Sequence, residues 1–252
     1  MKPKITFLNG DCVEEMDKLI EKGINVNKII TSPPYNTIRN NKHDKRYDVY
    51  DDNKTDNEYI QWTIEIFKKF DKLLEKDGCI LYNMSYGSEN TVLMNLTISD
   101  IIRNTNFTLA DIIIWKKKSA QPNNVSKNKL TRIVEFIYVF VRNDELKTFE
   151  ANKKVTGKRK TGQNIYDVKY NFIEAKNNDK STSLNKATYS TDLMNKLFEM
   201  YVKQDDVVLD PFGGTGTTAC ASFLNGNDCY SIELSEEQVK YSKERLETLR
   251  KL

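Results

Sequence analysis

Between Val207 and Glu233 the chain passes from an apolar strand through a glycine-rich turn into a helix and then a second strand, and this unit restricts the fold more than any other segment. Val207-Val208-Leu209 leads into Asp210-Pro211-Phe212-Gly213-Gly214-Thr215-Gly216, and Thr217 opens a helix that runs to about 224. Glycines in such a turn allow positive φ and let a ligand approach the backbone closely. The helix start turns its unpaired N–H groups and the positive end of its dipole toward the turn, which suits an anionic group. A triphosphate-binding loop would close with Gly-Lys-Ser/Thr, and no lysine stands here. The following strand, 228–232, ends at Glu233, where a nucleotide-binding βαβ unit places a carboxylate for ribose hydroxyls.

A second turn lies far upstream. Thr31-Ser32-Pro33-Pro34-Tyr35-Asn36 directly follows the apolar run 26–30. Proline fixes φ near −65° and supplies a carbonyl but no N–H. Ser32 and the Pro33 carbonyl can therefore form a cluster of acceptors, with Tyr35 as a flat wall beside it and Asn36 at the rim. That arrangement suits the exocyclic amino group of a planar base. Taken alone, the same residues make an ordinary Pro-Pro turn.

The rest of the chain alternates strand and helix. Strands are predicted over 5–8, 28–31, 79–83, 107–115, 133–141, 207–209 and 230–232, and helices over 12–22, 57–75, 90–104, 191–203 and 236–249. Segments 107–115 and 133–141 read as an antiparallel pair, and 37–58 as a polar loop beside the site. The expected fold is α/β: a doubly wound, mostly parallel sheet with an antiparallel edge strand and a small inserted lobe. Residues 1–145 and 187–252 would form the main domain and 146–186 the insertion. Both key turns follow strands, so both can open into one crevice.

Composition excludes several classes. The four cysteines form no C-x-x-C pair, which argues against a zinc site or a disulfide framework and fits reduced thiols in a cytoplasmic protein. One histidine, His43, makes His-based triads and metal sites improbable. Apolar runs fall far short of the roughly 18 residues that span a membrane, and the amino terminus lacks a signal-peptide core. The net charge of +3 is unevenly spread, with 17 Lys/Arg against 7 Asp/Glu between 116 and 186. Lys153, Lys154, Lys158, Arg159 and Lys160 are the densest part and are expected to track a DNA backbone, with Gln163 and Asn164 near base edges.

The two turns together resemble those of the amino-group DNA methyltransferases, the N4-cytosine and N6-adenine enzymes that use S-adenosylmethionine. Thr31-Ser32-Pro33-Pro34-Tyr35 is similar to the family's catalytic motif, Asp210 to Thr218 to its cofactor loop, and Asn9-Gly10-Asp11-Cys12 to its amino-terminal cofactor element. Ala187-Thr188-Tyr189-Ser190 resembles the segment before the cofactor loop, although Asn185-Lys186 replaces a usual His-Pro and Ser190 a frequent proline. Catalytic motif first and cofactor loop last is the order of the circularly permuted β group. No cysteine follows a proline, as a carbon-5 cytosine enzyme would need.

The resemblance implies a Rossmann-like methyltransferase sheet, with 146–186 as a target-recognition lobe. It implies catalytic roles for Ser32, Pro33, Pro34 and Tyr35, with the base flipped out of the duplex. Asp210, Pro211, Phe212, Gly213, Gly214, Thr215, Gly216 and Thr217 would hold the methionine part of the cofactor, Glu233 its ribose, and Asp11 and Cys12 its adenine. Double-stranded DNA is the expected partner, with no metal and no membrane; a homodimer and a cognate restriction endonuclease are compatible. Ser at the first motif position leans toward N4 of cytosine, while N6 of adenine stays open. RNA or protein methylation and a non-catalytic nucleic-acid-binding module are the readings from other classes.

Overall fold

The computed structural model describes residues 2–36, 49–50, 52–87, 90–120, 122–179 and 188–251. His43, Ala187 and most of the expected loop over 37–58 lie outside the described residues, as do residues 180–186 of the expected insertion. In chain order the first half comprises β1 (Ile5–Asn9), α1 (Cys12–Glu21), β2 (Val26–Thr31), α2 (Asp56–Leu73), β3 (Leu74–Met84), α3 (Leu93–Asn104), β4 (Phe107–Lys117) and β5 (Val134–Arg142). The second half comprises β6 (Val155–Lys158), β7 (Asn164–Tyr166), β8 (Phe172–Ala175), α4 (Thr191–Tyr201), β9 (Val208–Asp210), α5 (Thr217–Asn225), β10 (Cys229–Glu233) and α6 (Glu236–Arg250).

Eight strands form one sheet in the order β1-β10-β9-β2-β3-β5-β4-β8, and β6 and β7 form a separate antiparallel ribbon. Every neighbouring pair in the large sheet is parallel except those made by β5, which runs antiparallel to both β3 and β4. The pairing of 107–115 with 133–141 is thus as expected, but the antiparallel strand is not at the edge. Its burial explains the placement. Ile137 to Val141 is continuously buried, the pattern of a strand covered on both faces, whereas β4 exposes Ile112 and Ile114. The edge beyond β4 is taken by β8, so residues 172–175 of the expected insertion belong to the main sheet.

Helices cover both faces because the strands alternate two apolar sets. In β3, Ile80, Tyr82 and Met84 join α1, α2 and α3 in one core, while Cys79 and Leu81 join α4 and α5 in the other. Local signals set the helix ends. Asp11 caps α1 through Val13 N–H at 2.8 Å, and Thr55 with Glu58 forms a reciprocal capping box at α2. β9 runs into α5 on one face and β2 leads on to α2 on the other, so their adjacent carboxyl ends form a switch point where the sheet opens a crevice.

Phe67 anchors the first core. Fully buried, it lies edge-on to Phe140 at 5.0 Å, Tyr82 at 5.2 Å and Phe107 at 5.8 Å between ring centres. It thereby joins α2 to three adjacent strands. Phe67→Ala is expected to destabilise the chain by about 3–5 kcal/mol, read as a lower urea midpoint with an unchanged slope.

Candidate active site

At the end of β9 the Asp210 carboxylate is wholly buried and accepts four hydrogen bonds. Thr31 Oγ1 (2.7 Å) and the Phe212 N–H (3.1 Å) donate to Oδ1; Thr218 Oγ1 (2.6 Å) and the Tyr189 hydroxyl (2.9 Å) donate to Oδ2. Burial pushes this carboxyl above the usual carboxylate range, and the donors act in the opposite direction. The Thr31 bond joins the strand before the Pro-Pro turn to the strand before the glycine turn. Asp210 is therefore a brace rather than a ligand group, because its oxygens are spent inside the protein.

The two turns open into one crevice of about 1210 Å³. Ser32, Pro33, Pro34, Tyr35, Asp11, Cys12, Pro211, Phe212, Gly213, Gly214, Thr215, Thr217 and Glu233 all line it; Asp210 and Gly216 do not. Packing excludes a side chain at two glycines, and at one of them conformation does so too. A Cβ on Gly213 would sit 2.1 Å from Ser231 Oγ, and Gly216 combines φ +76° with a Cβ position 2.7 Å from Ser242 Cβ. The Thr215 hydroxyl is buried with no hydrogen-bond partner among the described residues. Glu233 accepts the Gly214 N–H at 2.8 Å and the Ser235 N–H at 2.9 Å, which fixes its carboxylate at the crevice. Asp11 commits Oδ1 to its helix cap, and burial followed by the charge of Asp11 raises the Cys12 thiol, leaving it an apolar wall.

Behind the Pro-Pro turn is a polar network that the sequence reading missed. Ser32 Oγ and Tyr35 OH lie 2.9 Å apart, and Tyr35 OH donates to Glu135 Oε2 at 3.2 Å. The Asn83 amide reaches Tyr35 OH at 2.7 Å and Glu135 Oε2 at 2.9 Å, while Lys117 pairs with the other Glu135 oxygen. Asn83 Oδ1 is buried without a partner among the described residues. The available signal was a carboxylate inside an otherwise apolar strand, Val134-Glu135-Phe136-Ile137. Two more contacts were missed. Trp62 packs on Phe212 with ring centres 5.6 Å apart, and Arg245 reaches Thr215 O at 3.2 Å and Thr217 Oγ1 at 3.1 Å.

Asn36, expected at the rim, is buried at φ +50° with both ends of its amide bonded to the Lys54 backbone, so it holds the turn in place. Lys153, Lys154, Lys158, Arg159 and Lys160 are exposed on and around the β6–β7 ribbon and do not line the crevice. Among the described residues no helix is long and apolar enough to cross a membrane.

A family model described as DNA methylase, of the N6/N4 class, matches residues 26–244. The type II methyltransferase M.BglII of Bacillus subtilis is 26% identical over 92% of this chain, and the match spans 66% of that relative, just under two thirds of its length. Among solved structures, an M1.HpyAVI–SAM complex superposes with a TM-score of 0.67 at 23% identity, covering 96% of this chain and 98% of that one. The cytosine-N4-specific PvuII DNA methyltransferase gives a TM-score of 0.72 at 19% identity over 97% of this chain and 88% of that one. These likenesses establish a shared fold.

The brace makes a direct prediction. Asp210→Ala strands four donors in the core and is expected to cost about 4 kcal/mol by urea denaturation, whereas Asp210→Asn, which keeps an acceptor, should cost about half as much.

Proposed function

This chain belongs to the N6/N4 DNA methylase family, and from that premise we propose that it transfers a methyl group from S-adenosylmethionine to the exocyclic amino group of a base in double-stranded DNA, N4 of cytosine in the first instance. One observation carries the reading: the Thr31–Asp210 bond sets an amino-group acceptor turn beside a nucleotide-type glycine turn in a single crevice.

The residues present fit the cofactor. Thr215 offers a buried hydroxyl that lacks a partner among the described residues, in a turn with backbone N–H groups at the start of α5. Pro211 to Thr215 and Thr217 would enclose the methionine part, Glu233 would take the ribose hydroxyls, and Asp11 with Cys12 would face the adenine. When bound, S-adenosylmethionine supplies an electrophilic sulfonium methyl group.

The chain's own task is alignment. An amino nitrogen on adenine or cytosine is a weak nucleophile because its lone pair is delocalised into the ring. Ser32 Oγ and the Pro33 carbonyl accept its hydrogens, orient it and favour a more tetrahedral nitrogen. Tyr35 stacks on the flipped base, and its hydroxyl is fixed by Asn83 and Glu135, so the wall cannot swing away. Ser32 supports cytosine through its resemblance to the N4 enzymes; the same acceptors serve N6 of adenine. The exposed basic ribbon near 153–160 is read as the part of the 146–186 segment, outside β8, that serves target recognition and meets phosphates outside the crevice. A homodimer and a companion restriction endonuclease are compatible with this reading.

Incubating duplex DNA with methyl-labelled cofactor and digesting it to nucleosides tests both levels. Label on cytosine N4 is expected; label on adenine N6 replaces the base assignment, and label confined to RNA or protein overturns the function. Within the site, Tyr35→Ala should lower turnover roughly 10²-fold and Tyr35→Phe roughly tenfold, both with little change in cofactor affinity by calorimetry. Equal losses in turnover and affinity would make Tyr35 structural.

A further inference from the structure

The connection between β4 and β5 forms one rim of the crevice, and the methyl-transfer chemistry leaves it without a role. From Lys118 to Arg132 it holds four Lys or Arg residues and no Asp or Glu. At its start Lys118 pairs with Asp192, next to the β4 pairs Lys116–Glu174 and Lys117–Glu135. Lys127, Lys129 and Arg132 lie on its exposed part. Among them stands Leu130, 89% exposed yet lining the crevice. A single exposed leucine is ordinary; one set among cations at the mouth of a crevice shaped for a base is not.

The loop holds Leu130 outward. The Asn123 N–H donates to Thr131 Oγ1 at 2.9 Å, and the Asn123 side-chain amide donates to Lys129 O at 3.2 Å, so one residue ties together both sides of the loop. Arg132 donates to the Tyr86 carbonyl, and its guanidinium lies 5.3 Å from the Tyr86 ring centre, which fixes the returning strand. The apolar tip is therefore presented from a supported frame and does not fold back on the core.

We infer that this loop is the edge that engages duplex DNA, and that Leu130 enters the base stack to fill the gap left by the extruded target base. This inference rests on the reading of the chain as a DNA methyltransferase. Lys127, Lys129 and Arg132 supply the positive charge that draws the phosphates of the same strand to the rim. An apolar side chain pushed between base steps replaces lost stacking and keeps the flipped base from returning. The charge of the rim selects the partner: an anionic duplex matches an apolar tip ringed by cations, whereas an apolar protein surface would leave those cations desolvated and unpaired.

The test starts by mapping the motif that the wild-type protein methylates in unmethylated genomic DNA. Two synthetic duplexes then carry that motif, one fully paired and one with a mismatch opposite the target base. Leu130→Ala is expected to slow single-turnover methylation of the paired duplex roughly tenfold or more, with S-adenosylmethionine affinity within about twofold of wild type. The mismatched duplex should recover most of that loss, because a mismatched base is already partly unstacked. Leu130→Met should stay within about threefold of wild type, since it keeps apolar length at the tip. A Leu130→Ala rate within about twofold of wild type on the paired duplex, or an equal loss on both duplexes, overturns the wedge. If the wild type itself labels no DNA, the function falls and the wedge with it, a result distinct from an active wild type beside an unaffected variant.

Discussion

The buried carboxylate of Asp210 is the interaction on which the rest of the structure depends. An ionised group removed from water carries a large penalty unless its lone pairs are occupied, and here four donors occupy them. Those donors come from the end of β2, the turn after β9, the start of α5 and the segment before α4. Satisfying one carboxylate therefore fixes four pieces of chain relative to one another. The Pro-Pro turn and the glycine turn, 179 residues apart in sequence at their bracing residues, become neighbours as a consequence.

Around this brace the site divides its work between two networks that do not overlap. Around the glycine turn, backbone N–H groups hold Glu233, Arg245 grips the turn from α6, and Trp62 packs on Phe212. Around the Pro-Pro turn, Asn83 from β3 and Glu135 from β5, with Lys117 from β4, lock the hydroxyls of Ser32 and Tyr35. The second network is possible only because β5 lies inside the sheet, where its Glu135 reaches Tyr35 from the strand next to β3. In the proposed transfer, rigidity of this turn suits a reaction in which alignment, not covalent chemistry, lowers the barrier.

The sequence made both turns and the alternation of elements legible, because Pro, Gly and apolar periodicity act over a few residues. It did not reveal which strand of the antiparallel pair lies inside, although the unbroken run Ile137-Tyr138-Val139-Phe140-Val141 carried that information. Asp210 was read as a ligand contact when it is a brace, since a motif position does not say whether a carboxylate faces inward. Glu135 went unread for a related reason: its partners Tyr35 and Lys117 come from the turn after β2 and from β4. The basic cluster at 153–160 drew attention by density alone, while the cations beside the crevice are the sparser ones near Leu130. Charge density in sequence carries no direction in space.

The central claim is that Asp210 acts on catalysis by joining the two turns through Thr31. A double-mutant cycle on methyl transfer to duplex DNA, with Thr31→Val, Asp210→Asn and the pair, measures that joint directly. If the brace works as described, the two changes are strongly non-additive, and the double variant is scarcely slower than Asp210→Asn alone. Additive losses, with each change multiplying the other, would contradict the account and separate the two turns energetically.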